Sequence, residues 1–169
     1  MSILKPMKPH TAAQTIVLWD LEDFPLPRGY DMCWLRPSIE SVVRKYDPRY
    51  EVTIFGYGEE PVAPRYHSYL EADVRYFPRK EDKGDRQTRM LLEMIQWVHR
   101  KKYFSFYGKL SLMVISKDIP PFFVPAIEEL KTYGVGIFLV VPDRCVLKDH
   151  VLFNTASEIW NWGSLLQGY

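Results

Sequence analysis

The chain has 169 residues, 47% of them hydrophobic and 25% charged, a balance that excludes a disordered chain and a membrane-embedded one. The formal net charge is +1, so there is no global attraction to polyanions, and a nucleic-acid surface requires local clustering of basic residues. The two cysteines, Cys33 and Cys145, lack the spacing of a zinc knuckle and indicate no disulfide framework, which favours a reducing compartment.

Residues 1–14 contain lysines and prolines but no apolar stretch long enough for a signal peptide. They are predicted to form a flexible arm that precedes a single domain at residues 15–169. No window has the roughly 20 apolar residues that a membrane span needs. The sequence thus favours an intracellular protein in the cytoplasm or nucleus, with an organelle left open as an alternative.

A buried strand is predicted where the uncharged residues 15–19 lead directly into the carboxylates of Asp20, Glu22 and Asp23. Prolines at 25 and 27 then indicate a turn. In an open α/β sheet, ligands bind where the chain leaves the carboxyl ends of the strands. The alternative is that these acids are ordinary solvated turn residues, with Asp23 fixing the turn.

Strands and helices are predicted to alternate along the rest of the chain. Strands are expected at 51–56, 74–77, 110–116 and 136–141, and helices at 35–46, 63–72, 85–100, 122–133 and 155–166. Such alternation at short spacing indicates parallel β-α-β units. The fold class is therefore an α/β three-layer sandwich, α/β/α, with a central, mostly parallel sheet of about five strands.

The stretch from residue 75 to residue 102 is the basic part of the chain, with nine basic and four acidic side chains and a net charge of +5. Apolar residues at helical spacing within it predict an amphipathic helix that begins at Asp85. Lysines and arginines here, together with one after the strand at 110–116, are the candidate RNA-binding residues. They are Arg79, Lys80, Lys83, Arg86, Arg89 and Lys117.

Three aspartates at element ends form the candidate catalytic and metal-binding site. Asp20 and Asp118 face each other across a crevice if the first and fourth strands are neighbours, and the helix that begins at Asp85 can complete the site. Clustered carboxylates repel one another unless a cation neutralises them, and Mg²⁺ or Mn²⁺ prefers such ligands. The corresponding reaction is hydrolysis of a phosphodiester, with Glu22 and Asp23 as supporting acids.

Several sequence blocks occur in a specific order. Trp-Asp-Leu-Glu-Asp at 19–23 is followed by Ile-Phe-Gly-Tyr-Gly at 54–58, Ile-Ser-Lys-Asp at 115–118 and Ala-Ser-Glu-Ile-Trp-Asn-Trp at 156–162. In order and spacing these blocks resemble NYN domains, the PIN-like nuclease relatives found in plant proteins and in limkain-type meiosis-regulator proteins. The resemblance covers nearly the whole chain, from about residue 15 to residue 168.

This resemblance implies a PIN-like fold, a divalent-metal site of clustered acids, and cleavage or binding of RNA, with Asp20, Asp85 and Asp118 matching family acids. Three departures from the family pattern stand out. Lys117 replaces a glycine, Phe122 falls at the place of a further acid, and Asp23 stands where the family has asparagine. A fourth metal-facing carboxylate is therefore lost, and Asp23 alone could compensate for it.

Two hypotheses follow. The first is a Mg²⁺- or Mn²⁺-dependent endoribonuclease that acts in RNA-level regulation of gene expression. The second is a catalytically impaired domain that serves as an RNA-binding or protein-interaction module, in which the ammonium of Lys117 replaces the charge of the metal. RNA, single-stranded rather than duplex, is the expected partner under both, and protein partners or a homodimer stay open.

Overall fold

The computed structural model describes residues 13–60, 66–104 and 109–168. Within these residues six strands form one all-parallel sheet in the order β3-β2-β1-β4-β5-β6. The strands are β1 (Gln14–Asp20), β2 (Glu51–Gly58), β3 (Val74–Pro78), β4 (Leu110–Ile115), β5 (Gly136–Val141) and β6 (Glu158–Asn161). The predicted α/β class and parallel sheet are confirmed, with one strand more than expected.

Helices cover both faces of the sheet. They are α1 (Leu35–Val43), α2 (Tyr66–Glu71), α3 (Lys83–Phe104), α4 (Phe123–Thr132) and α5 (Trp162–Leu166). One core cluster joins α1, α2 and α5 to the sheet, and a second joins α3 and α4 to the opposite face. In the part of the chain that the structure describes, no helix combines the length and apolar character required to cross a bilayer.

Strand β1 lies at the centre of the sheet, and its sequence reflects that position. Ile16, Val17, Leu18 and Trp19 are all fully buried, as expected for a parallel strand covered on both faces. The indole N–H of Trp19 donates to the backbone carbonyl of Phe24 at 2.8 Å, which holds the turn after the strand against the core. The end of β1 is therefore a rigid position from which to present side chains.

The prediction of a helix at 155–166 is wrong. Residues Glu158–Asn161 form β6, which pairs with β5, and only Trp162–Leu166 are helical. The ring of Trp160 lies 5.2 Å from that of Phe138 and 5.9 Å from that of Tyr46, measured between centroids. Pairing with β5 and these aromatic contacts override the helical spacing of the segment.

Other boundaries differ by a few residues. β1 begins at Gln14, which was assigned to the arm, and residues 1–12 of that arm lie outside the described residues. Helix α2 occupies part of the predicted 63–72 segment, whose residues 63–65 also lie outside. The loop expected at 103–109 starts later, because α3 extends to Phe104, and residues 105–108 are not described.

Candidate functional site

The carboxyl ends of β1 and β4 lie side by side at the centre of the sheet. The two strands pair in parallel, with Trp19 opposite Ile115, so the predicted adjacency of the first and fourth strands is confirmed. The chain leaves β1 towards β2 on one side and β4 towards β5 on the other, which makes this the point where the strand order reverses. An open α/β sheet has its crevice at such a point.

Asp20, the last residue of β1, is completely buried. Its Oδ1 accepts hydrogen bonds from the backbone N–H groups of Glu22 at 3.0 Å and Asp23 at 3.2 Å. Its Oδ2 accepts one from Nε of Arg86 at 2.9 Å. Burial raises the pKa of Asp20 and the bond from Arg86 opposes that rise. Both oxygens of the carboxylate are thus engaged by groups of the protein itself.

Helix α3 presents Arg86, and not Asp85, to the buried aspartate. The Arg86 side chain is 5% exposed and forms an ion pair with Asp20, whereas Asp85 lies on the exposed surface of the first helical turn. Consecutive helical residues point about 100° apart, so a helix that directs Arg86 at Asp20 directs Asp85 elsewhere. The helix position nearest to Asp20 therefore carries a cation.

The start of α3 also differs from the prediction that Asp85 begins it. The helix begins at Lys83, and Oδ1 of Asp82 accepts the backbone N–H of Asp85 at 2.8 Å. This is the hydrogen bond of an N-cap residue to the third helical residue. Asp82 is the cap, and Asp85 is an acid of the first turn.

Lys83 links two of the predicted acids. Its ammonium lies 3.0 Å from Oδ1 of Asp23 and 3.1 Å from Oδ2 of Asp118. Burial lowers the pKa of Lys83, but the hydrogen bonds to these two carboxylates outweigh burial and raise the pKa above its ordinary value. Lys83 was predicted to bind phosphate, and here its charge is shared between two carboxylates.

Asp23 also ties the loop after β1 to the loop after β4. Its Oδ2 accepts the backbone N–H of Lys117 at 2.8 Å and the hydroxyl of Ser116 at 3.3 Å. The ammonium of Lys117 lies 5.4 Å from the centroid of the Phe24 ring, the geometry of a cation–π contact. The cation beside Asp118 is thus Lys83, whereas Lys117 was expected there from the sequence.

Asp118 is the exposed member of the group, with a side chain 89% accessible to solvent. Its φ of +51° is left-handed, a conformation that aspartate tolerates better than most residues. The side-chain amide of Gln87 on α3 donates to the backbone carbonyls of Lys117 and Asp118, both at 3.2 Å. These bonds hold the loop after β4 against α3.

The remaining predicted residues lie around this network. Glu22 accepts the backbone N–H of Glu59 at 2.8 Å, and Glu59 lies 3.7 Å from a terminal nitrogen of Arg86. Arg89 donates from Nε to Glu81 at 2.6 Å. Arg79 and Lys80 follow the end of β3 and are exposed. Of the six predicted RNA-binding cations, Lys83, Arg86 and Arg89 are therefore already paired with carboxylates.

A divalent ion does not fit this arrangement. Among the described residues there is no group of three histidine, cysteine, aspartate or glutamate side chains that could hold a metal. Asp20 is neutralised by a guanidinium, and Asp23 and Asp118 share an ammonium. The structure brings Asp20, Asp23 and Asp118 to one network, but their counter-charges are Arg86 and Lys83.

Sequence reasoning missed the role of three residues in this network. Arg86 and Lys83 were taken for phosphate ligands, and Gln87 was not considered. One signal could have located the first of them, because Asp82 three residues before Asp85 is a helix-capping pattern. With the cap at Asp82, the inward-facing positions of the first two turns change accordingly.

Comparison with known proteins gives one match. The family model described as NYN domain matches residues 14–158, most of the chain. No curated protein matches the sequence. The matched range begins with β1 and ends at the first residue of β6, so it contains the whole carboxylate network.

Proposed function

The chain belongs to the NYN domain family, whose PIN-like nuclease fold acts on RNA, and on this premise we propose that it is an RNA-binding domain whose carboxylates are neutralised internally. Arg86 and Lys83 take the place of a divalent metal. The protein then binds single-stranded RNA without Mg²⁺ or Mn²⁺ and does not hydrolyse it. Membership of the plant and limkain-type group is a further proposal that is supported by the sequence blocks alone.

The observation that carries this proposal is the ion pair between Arg86 and Asp20. Both side chains are buried, at 5% and 0% exposure, and the Nε–Oδ2 distance is 2.9 Å. A buried guanidinium cannot be deprotonated, so a metal ion beside Asp20 would have to displace or repel it. Displacement would leave a charged group buried without its partner, at a cost of several kcal/mol.

A second candidate, the Mg²⁺- or Mn²⁺-dependent ribonuclease with Asp20, Asp85 and Asp118 as its acids, is favoured by a different observation. Asp118 is 89% exposed and Lys83 is 34% exposed, so their contact is open to solvent. Exposed ion pairs are weak, and the ammonium of Lys83 can leave at little cost. The two candidates therefore differ in whether Asp20 is available to a metal.

Calorimetric titration with Mn²⁺ distinguishes the candidates. We expect no binding heat for the unmodified protein, and we expect Mn²⁺ binding after Lys83→Ala, because Asp23 and Asp118 then lose their shared cation. Lys117→Gly is the matched control: it removes the lysine next to Asp118 whose ammonium lies over Phe24, so it should leave Mn²⁺ binding undetected.

RNA binding and cleavage are measured on the same proteins. Fluorescence anisotropy with a labelled single-stranded oligoribonucleotide should give equal affinity in EDTA and in Mn²⁺. Tight Mn²⁺ binding by the unmodified protein, together with RNA cleavage that Asp20→Asn abolishes, would establish the ribonuclease instead. Absence of RNA binding under all conditions would refute both candidates.

A further inference from the structure

Strand β3 is one edge of the described sheet, and one of its faces combines aromatic and basic side chains. Successive strand residues point to opposite faces, so Arg75 and Phe77 share a face with Tyr57 of β2, whose backbone is in register with Phe77. The Phe77 ring is 38% exposed. Helix α3 packs on β1 and β2, which leaves this part of the face accessible.

The Phe77 ring is held by its neighbours. It stacks on Tyr57 with centroids 5.5 Å apart and an angle of 27° between the rings, and it lies 5.6 Å from the Phe55 ring. The guanidinium of Arg75 lies 5.7 Å from the Phe55 centroid, and that of Arg89 lies 5.2 Å from the Tyr57 centroid. A ring that is fixed from below and exposed above is a ready stacking surface.

The charges beside this ring are positive. Arg75, Arg79 and Lys80 are exposed, and the backbone N–H of Arg79 donates to Gly58 at 2.9 Å, which keeps Arg79 next to the end of β2. The nearby acids are engaged elsewhere, since Glu81 binds Arg89 and Asp82 caps α3. A polyanion meets a net positive field here.

We propose that Arg75, Phe77 and Arg79, called the β3 face, bind single-stranded RNA by stacking a base on Phe77 and contacting phosphates with the two arginines. This inference rests on the proposed function and names where the RNA lies. Exposed bases of a single strand can stack on a fixed aromatic ring, whereas the bases of a duplex are already stacked on one another. Phe77 is in register with Tyr57, and Tyr57 with Asp20, so the ring lies two strand spacings, about 10 Å, from the carboxylate network.

The experiment compares two oligoribonucleotides of equal length, one of uridines and one whose central nucleotides are abasic. The unmodified protein should bind the uridine oligonucleotide about tenfold more tightly, the effect of stacking one base. Phe77→Leu should remove this preference. Phe153→Leu is the matched control, because Phe153 is 39% exposed and lies outside the β3 face. It should keep the preference.

The arginines are tested by salt dependence. Replacing Arg75 and Arg79 by glutamine should weaken both oligonucleotides alike and flatten the log–log salt slope by about 1.4, or about 0.7 per phosphate contact. If Phe77→Leu unfolds, ultraviolet crosslinking of the uridine oligonucleotide to the unmodified protein should place the adduct within residues 75–79.

The outcomes separate this inference from the function on which it rests. RNA binding with the uridine preference intact in Phe77→Leu, or a crosslink outside residues 75–79, overturns the β3 face and leaves RNA binding standing. Equal affinity of the unmodified protein for the two oligonucleotides also overturns it. Failure to bind either oligonucleotide overturns the proposed function as well.

Discussion

Replacing Asp20 by asparagine tests whether the carboxylates are held by internal cations. The amide of asparagine has one acceptor oxygen, and Asp20 now accepts from Arg86 on one oxygen and from two backbone N–H groups on the other. In the variant, an NH₂ group must face one set of donors, and the buried guanidinium loses its counter-charge. Asp20→Asn should therefore destabilise the fold.

The expected loss is about 3 kcal/mol, the lower end of the range for removing one partner of a buried ion pair. The lower end applies because Glu59, which is 44% exposed, lies 3.7 Å from Arg86 and still compensates part of its charge. For a chain of 169 residues this corresponds to a melting temperature about 6 to 12 °C lower.

Urea unfolding followed by tryptophan fluorescence measures the change. The double variant Asp20→Asn with Arg86→Gln removes both charges, so its loss should be smaller than the sum of the single losses by more than about 1 kcal/mol. Asp47→Asn is the matched control, because its partner Arg49 is 55% exposed and no buried charge remains. Its loss of stability should be clearly smaller.

The opposite sign would refute the reasoning. If Asp20 belonged to a cluster of carboxylates without internal cations, neutralising it would relieve repulsion and stabilise the metal-free protein by about 1 kcal/mol. A gain in stability for Asp20→Asn, or strictly additive effects in the double variant, would show that Arg86 does not neutralise this site.

Two further predictions concern the start of α3 and the loop before β6. Asp82→Ala should cost about 1 kcal/mol in urea unfolding because it removes the helix cap, whereas Asp85→Ala should cost less than half of that; equal costs would contradict the cap assignment. His150 is half-buried and its Nδ1 accepts the backbone N–H of Leu152 at 3.1 Å, and burial lowers its pKa although the charge of Asp118 opposes this. A group with a lowered pKa in the folded state binds fewer protons there, so its contribution to stability is present above about pH 6.5 and lost as the pH falls through the folded value. An NMR titration of the imidazole should have its midpoint below 6.5, and His150→Asn should lose less stability than the unmodified protein between pH 6.5 and pH 5.

The central strands were predictable because a parallel strand buried on both faces has a continuous apolar sequence. Ile16, Val17 and Leu18 in β1 and the run at Gly136–Val141 show this directly. Strand β6 was not predictable, since its four residues contain apolar side chains at positions that suit a helix as well. Its structure is decided by pairing with β5 and by the contact of Trp160 with Phe138, neither of which is local.

The candidate site was predictable in position but not in its charge balance. The acids at the ends of β1 and β4 follow from the strand pattern, and the structure places Asp20, Asp23 and Asp118 in one network. Whether Asp85 or Arg86 faces Asp20 depends on the helix phase, which shifts by about 100° for each residue of error in its starting point. A prediction that began the helix two residues late could not identify Arg86 as the counter-charge.

The central position of β1 also sets the order in which the sheet can close during synthesis. β2 can pair with β1 on one side once residue 58 is made, but the other side meets its partner only when residues 110–115 are complete. Between these points, the nascent chain presents an unpaired row of backbone groups beside apolar side chains, an edge that recruits other chains. The same connection that places α3 over the carboxylates therefore makes the half-made domain dependent on chaperones while it is on the ribosome.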